Sequence, residues 1–96
     1  MVTATLPYGS PTSSAEQIRK KLLTAAEEVV ETHGGDTLAE GIFALIDENV
    51  VEVRVYLTDP HLRPISTTEL TQLWRERVGP VPGLESLLFE ADRGGP

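Results

Sequence analysis

Apolar and polar residues alternate most cleanly between Val50 and Leu57, where Val51, Val53, Val55 and Leu57 fall on one side and Glu52, Arg54 and Tyr56 on the other. A period of two predicts a strand with one face toward a core. Val2 to Leu6 repeats the pattern, with Val2, Ala4 and Leu6 set against Thr3 and Thr5, and Pro7-Tyr8-Gly9-Ser10-Pro11 breaks it. From Ser13 to about His33 the period becomes helical: Ile18, Leu22, Ala25, Ala26, Val29 and Val30 make one stripe. Ser13 and Glu16 stand at capping-box spacing, and Gly34-Gly35 offers the left-handed conformation that closes a helix.

Leu38 to Ile46 is a strand of a different kind. Ile42, Ala44 and Ile46 occupy one face, but Phe43 and Leu45 make the other apolar as well. A two-layer domain leaves one sheet face wet, so two dry faces imply that something beyond the domain's own core packs there. Asp47-Glu48-Asn49 is the turn into the Val50 strand. Pro60 and Pro64 then bracket a loop. Ser66 and Glu69 form a second capping box, with Ile65 and Leu70 placed as a hydrophobic staple. Leu70, Leu73, Trp74 and Val78 line one face of the helix that follows, which makes Trp74 a core anchor, and Gly79-Pro80 stops it. Leu84 to Glu90 is the last strand, with Leu87 and Phe89 inward. The order β-α-β-β-α-β predicts an α+β, ferredoxin-like domain: a four-stranded antiparallel sheet with two helices on one face. At 96 residues the whole chain, 1–96, makes one domain.

Composition narrows the chemistry. Eight Lys and Arg against fifteen Asp and Glu give a net charge of −7, and the single basic cluster, Arg19-Lys20-Lys21, shares its helix with Glu27, Glu28 and Glu31. No basic stripe for phosphate backbones exists, so nucleic acid is not expected as a partner. The RNA-recognition fold shares this element order, but it needs stacking aromatics on its central strands, and the third strand offers only Tyr56. Cysteine is absent, which removes disulfides and thiol chemistry. The two histidines, His33 and His61, lie far apart with no ligand at metal spacing, and Asp47-Glu48-Asn49 lacks the alternation of a calcium loop. No Gly-x-Ser-x-Gly elbow and no phosphate-binding glycine motif occurs. No catalytic, cofactor-binding or metal residue is therefore assigned, and an enzyme is not expected. No apolar run approaches the roughly 20 residues that span a bilayer. The strand-like start at Met1 and the stop at Gly94-Gly95-Pro96 lead to the expectation of an excised part of a larger chain.

The second half carries a resemblance. Val53-Arg54-Val55-Tyr56-Leu57, then Arg63-Pro64, then the Leu- and Arg-bearing helix from Leu70 to Arg77, then Pro82-Gly83 before a strand, follow one another as in the periplasmic porter subdomains of resistance-nodulation-division (RND) efflux transporters of the acriflavine-resistance type. The opening strand, Pro7-Tyr8-Gly9-Ser10-Pro11-Thr12 and long helix are similar to that family's first C-terminal porter repeat. The resemblance implies a periplasmic piece of a proton-driven inner-membrane trimer that exports drugs or other amphiphilic compounds. It further implies neighbouring porter subdomains as partners, with an adaptor and an outer-membrane channel beyond them. The proton-carrying residues of the family lie in membrane helices, so the piece has no activity alone. Many drug pumps have a long glycine- or phenylalanine-rich gating connection where this chain has Asp47-Glu48-Asn49, which leaves the substrate open. The alternative expectation is a free-standing ferredoxin-like module that binds or senses a small molecule and dimerises through its sheet.

Overall fold

The valines that alternate along Val50–Leu57 lie at the heart of a four-stranded sheet in the computed structural model, which describes residues 1–90. The strands are β1 (Val2–Thr5), β2 (Ala39–Asp47), β3 (Val50–Leu57) and β4 (Ser86–Phe89); the helices are α1 (Thr12–Thr32) and α2 (Thr67–Val78). Across the sheet the order is β2-β3-β1-β4, with every neighbouring pair antiparallel. This is the ferredoxin-like arrangement that the element order predicts. Gly94-Gly95-Pro96, read from the sequence as a loop-like end, lies outside the described residues.

One sheet face and the two helices enclose the core. Val2, Ala4, Leu6, Val51 and Val53 are buried against Leu22, Ala25 and Ala26 of α1 and Trp74 and Val78 of α2. A second cluster joins the α1 end to the α2 start through Val29, Val30, Leu38, Ala39 and Leu70, with Ile65 packed against it as the staple spacing predicts. Trp74 donates its indole N–H to the Leu22 carbonyl at 3.1 Å and meets the Phe89 ring edge-on at 6.0 Å. Arg75 lies over the same Phe89 ring, 5.4 Å from its centre. The last strand is thus held by α2 side chains as well as by its ladder to β1.

The two capping boxes part company. At α2, Ser66 is the N-cap and its hydroxyl accepts the Glu69 backbone N–H at 3.1 Å. At α1, Pro11 takes the N-cap position in extended conformation, so the helix begins at Thr12 and Ser13 lies inside the first turn. An N-cap side chain must stand outside the helix to reach back to the first-turn N–H groups. Ser13 therefore does not cap, and Glu16 turns outward to Arg19 at 3.0 Å. After α1 the Gly34-Gly35 pair takes positive φ at both positions and opens a short 3₁₀ turn, Gly35–Thr37. A methyl group on Gly34 would lie 2.7 Å from the Thr37 hydroxyl and 2.8 Å from the Pro64 ring, so the loop before α2 packs directly on this backbone. Among the described residues no helix is long and apolar enough to cross a membrane.

Candidate functional surface

The grooves on the helical side of the described residues are open. The groove between α1 and α2, about 290 Å³, is lined by Val29, Thr32, His33, Leu73 and Glu76 and flanked by an ion pair, Arg77 to Glu28 at 2.8 Å. The hydrogen bond from Arg77, and then its charge, hold the Glu28 carboxyl below the usual glutamate range, and the same pairing raises Arg77. His33 is occupied by its own helix, with Nδ1 2.9 Å from the Val29 carbonyl oxygen. His61 lies in the loop after β3, where its backbone N–H donates to the Asp59 carboxylate at 3.0 Å. Among the described residues no three His, Cys, Asp or Glu side chains gather where they could hold a metal ion.

The loop from Thr58 to Ser66 is anchored through Thr58 and Arg63. Thr58 is buried, and its hydroxyl donates to the carbonyls of Thr37 and Leu38. Arg63 donates from Nε to the Thr58 carbonyl at 2.7 Å and from its guanidinium to the Thr67 hydroxyl at 2.8 Å. The arginine of the sequence pattern thus ties the end of β3 to the start of α2. The turn at Asp47-Glu48-Asn49 is equally fixed. Asp47 pairs with Val50, leaving a two-residue hairpin loop. Asn49 exchanges backbone and side-chain hydrogen bonds with Leu6: it accepts the Leu6 N–H at 2.7 Å and donates from Nδ2 to the Leu6 carbonyl at 2.9 Å.

Among the described residues, the open sheet face gathers four large exposed hydrophobics. Phe43 is 51% exposed, Leu45 45%, Tyr56 51% and Leu88 54%. Strand register sets them in rows. Leu45, Glu52, Thr3 and Leu88 stand opposite one another across all four strands, and Phe43 stands opposite Arg54 in the adjoining row. Arg54 reaches Glu52 on its own strand at 3.4 Å, and the hydrogen bond and charge of Glu52 push the guanidinium further above its ordinary value. Ile42, Ala44 and Ile46 pack inward on the core, as their parity requires. The doubly apolar character of β2 is therefore real: one of its faces is covered and the other open. Leu88 is the member of this face that pattern alone passes over, because its neighbours Leu87 and Phe89 claim the strand's inner side; the three consecutive apolar residues were the available signal. Such a face offers contact area and a few charges, which suits it to packing. Compared with known proteins, the chain matches no family model, no curated protein and no solved structure.

Proposed function

We propose that this chain is a periplasmic porter subdomain, the first C-terminal porter repeat, of an RND efflux transporter of the acriflavine-resistance type, and that it shapes part of the cleft through which amphiphilic compounds leave. The observation that carries the reading is the open sheet face, which keeps Phe43, Leu45, Tyr56 and Leu88 exposed on one side of the sheet. That is what a part built to pack against neighbouring subdomains requires. The motif order supports it, since Arg63-Pro64, the α2 helix and Pro82-Gly83 follow β3 as they do in that family. In this reading the neighbours are other porter subdomains of a homotrimer, and the substrate meets the cleft they form together. The rigid two-residue hairpin at Glu48-Asn49 supplies no long gating loop, so substrate choice falls to the surfaces around it.

The coding sequence on either side decides the matter. Apolar segments of roughly 20 residues both before and after this stretch are expected. A start codon and a stop codon immediately flanking it would sink the proposal. With the intact gene in a pump-deficient host, efflux of a fluorescent amphiphile should fall when Phe43→Asp and Leu45→Asp are introduced together, at unchanged amounts of transporter in the membrane. Unchanged efflux would remove the open face from the mechanism.

A further inference from the structure

The open sheet face is complementary to itself. Phe43 and Leu45 lie two residues apart on β2, and Arg54 and Glu52 lie directly opposite them on β3. Take a two-fold axis in the plane of the interface, crossing the strands midway between the Phe43–Arg54 row and the Leu45–Glu52 row. Rotation about it lays Phe43 of one copy over Leu45 of the other, and Arg54 over Glu52. Apolar meets apolar and cation meets anion, twice, by one operation. With the sheets crossing between β2 and β3, the twist between two packed sheets, about 30°, displaces β1 and β4 most and leaves these four positions close to the crossing point. A face with the same residues in another order, such as Arg54 and Glu52 on different strands, would set each charge against an apolar side chain.

Size sets the strength. The strands hold 4, 9, 8 and 4 residues, which at about 3.4 Å per residue and about 4.8 Å between strands cover a footprint of roughly 400 Å². Protruding side chains raise the surface buried above that figure, yet it stays at or below the ~800 Å² per partner of a standard interface. We infer that this chain by itself forms a weak isologous dimer through its open sheet face, with a dissociation constant on the order of 10–100 μM. The inference does not rest on the transport reading: within a transporter a neighbouring subdomain would take this face, and a second copy takes it when the chain is alone.

Sedimentation equilibrium from about ten to several hundred micromolar tests it, on the wild type and on three variants: Glu52→Arg, Arg54→Glu and the two together. The wild type should pass from monomer to dimer and stop there. Each single reversal places like charges face to face and should weaken the dimer about tenfold or more. The double reversal exchanges the signs in both copies and should restore it. Arg54 is exposed and Glu52 half-buried on the open face, so all three variants are expected to fold, which circular dichroism checks. For the wild type alone, dilution should move the NMR resonances of Phe43 and Leu45 and spare those of α1. A monomer at every concentration would overturn the inference and leave the face to a partner of different sequence. So would open-ended aggregation, or a dimer indifferent to the charge reversals. Flanking coding sequence that refutes the transporter leaves this result untouched, and a strict monomer leaves the transporter standing.

Discussion

Trp74 joins three parts of the fold through a single side chain: its ring fills the core, its N–H caps onto α1 at Leu22, and its edge meets Phe89 on β4. Replacing it with Phe keeps an aromatic in place but removes the donor. The expected loss is about 1–2 kcal/mol in urea unfolding, against about 3–5 kcal/mol for Trp74→Ala, which leaves a cavity. The serines of the two capping boxes make a sharper comparison. Ser66→Ala should cost about 1 kcal/mol because the Glu69 N–H loses its acceptor. Ser13→Ala should stay within about 0.5 kcal/mol, since that hydroxyl caps nothing. Equal losses in the two variants would contradict the assigned helix starts. Glu28 adds a pH signature. Its carboxyl is held low in the folded state by Arg77, so the pair's contribution is present above the ordinary glutamate value and disappears as pH falls through the lowered one. An NMR titration should place the Glu28 midpoint below the ordinary glutamate value, and Arg77→Ala should return it toward that value.

At the level of elements, β3 matches its sequence pattern because strict alternation from Val51 on has one solution: shifting it by one would turn Val51, Val53 and Val55 to solvent. The start of α1 was less legible for a physical reason. Thr12, Ser13 and Ser14 all have side chains able to cap, and the choice fell to Pro11, whose fixed φ suits the extended residue that precedes a helix. Likewise no sequence rule announces that Arg63 will bind the Thr58 carbonyl, since that bond depends on where a whole loop lands. The open face was visible as the second apolar side of β2, but its continuation through Tyr56 and Leu88 needed the register of four strands. The β2–β3 hairpin makes a further prediction. Glu48 holds φ 54° in a position that glycine adopts without steric cost. Glu48→Gly should therefore stabilise the domain by about 0.5–1 kcal/mol, read from denaturant midpoints. A loss instead would mean that the Glu48 side chain supports the loop in some other way.

On the scale of the whole molecule, two electrostatic accounts of association compete, and they can be told apart. The chain carries −7, so two copies repel as bodies, and at physiological salt that repulsion is screened beyond about 8 Å. Were this the controlling term, only net charge would matter. Arg54→Glu, which lowers the charge by two to −9, would weaken association, whereas Glu52→Arg, which raises it by two to −5, would strengthen it. Face-to-face pairing demands something else. Both single reversals put like charges within contact distance across the two-fold, so both must weaken the dimer despite moving the net charge in opposite directions. The double reversal returns the net charge to −7 and restores the pairing, so it must behave as the wild type. Glu52→Arg is therefore the deciding variant: a tighter dimer than wild type assigns the association to bulk charge, and a weaker one assigns it to the order in which Phe43, Leu45, Glu52 and Arg54 stand on the sheet.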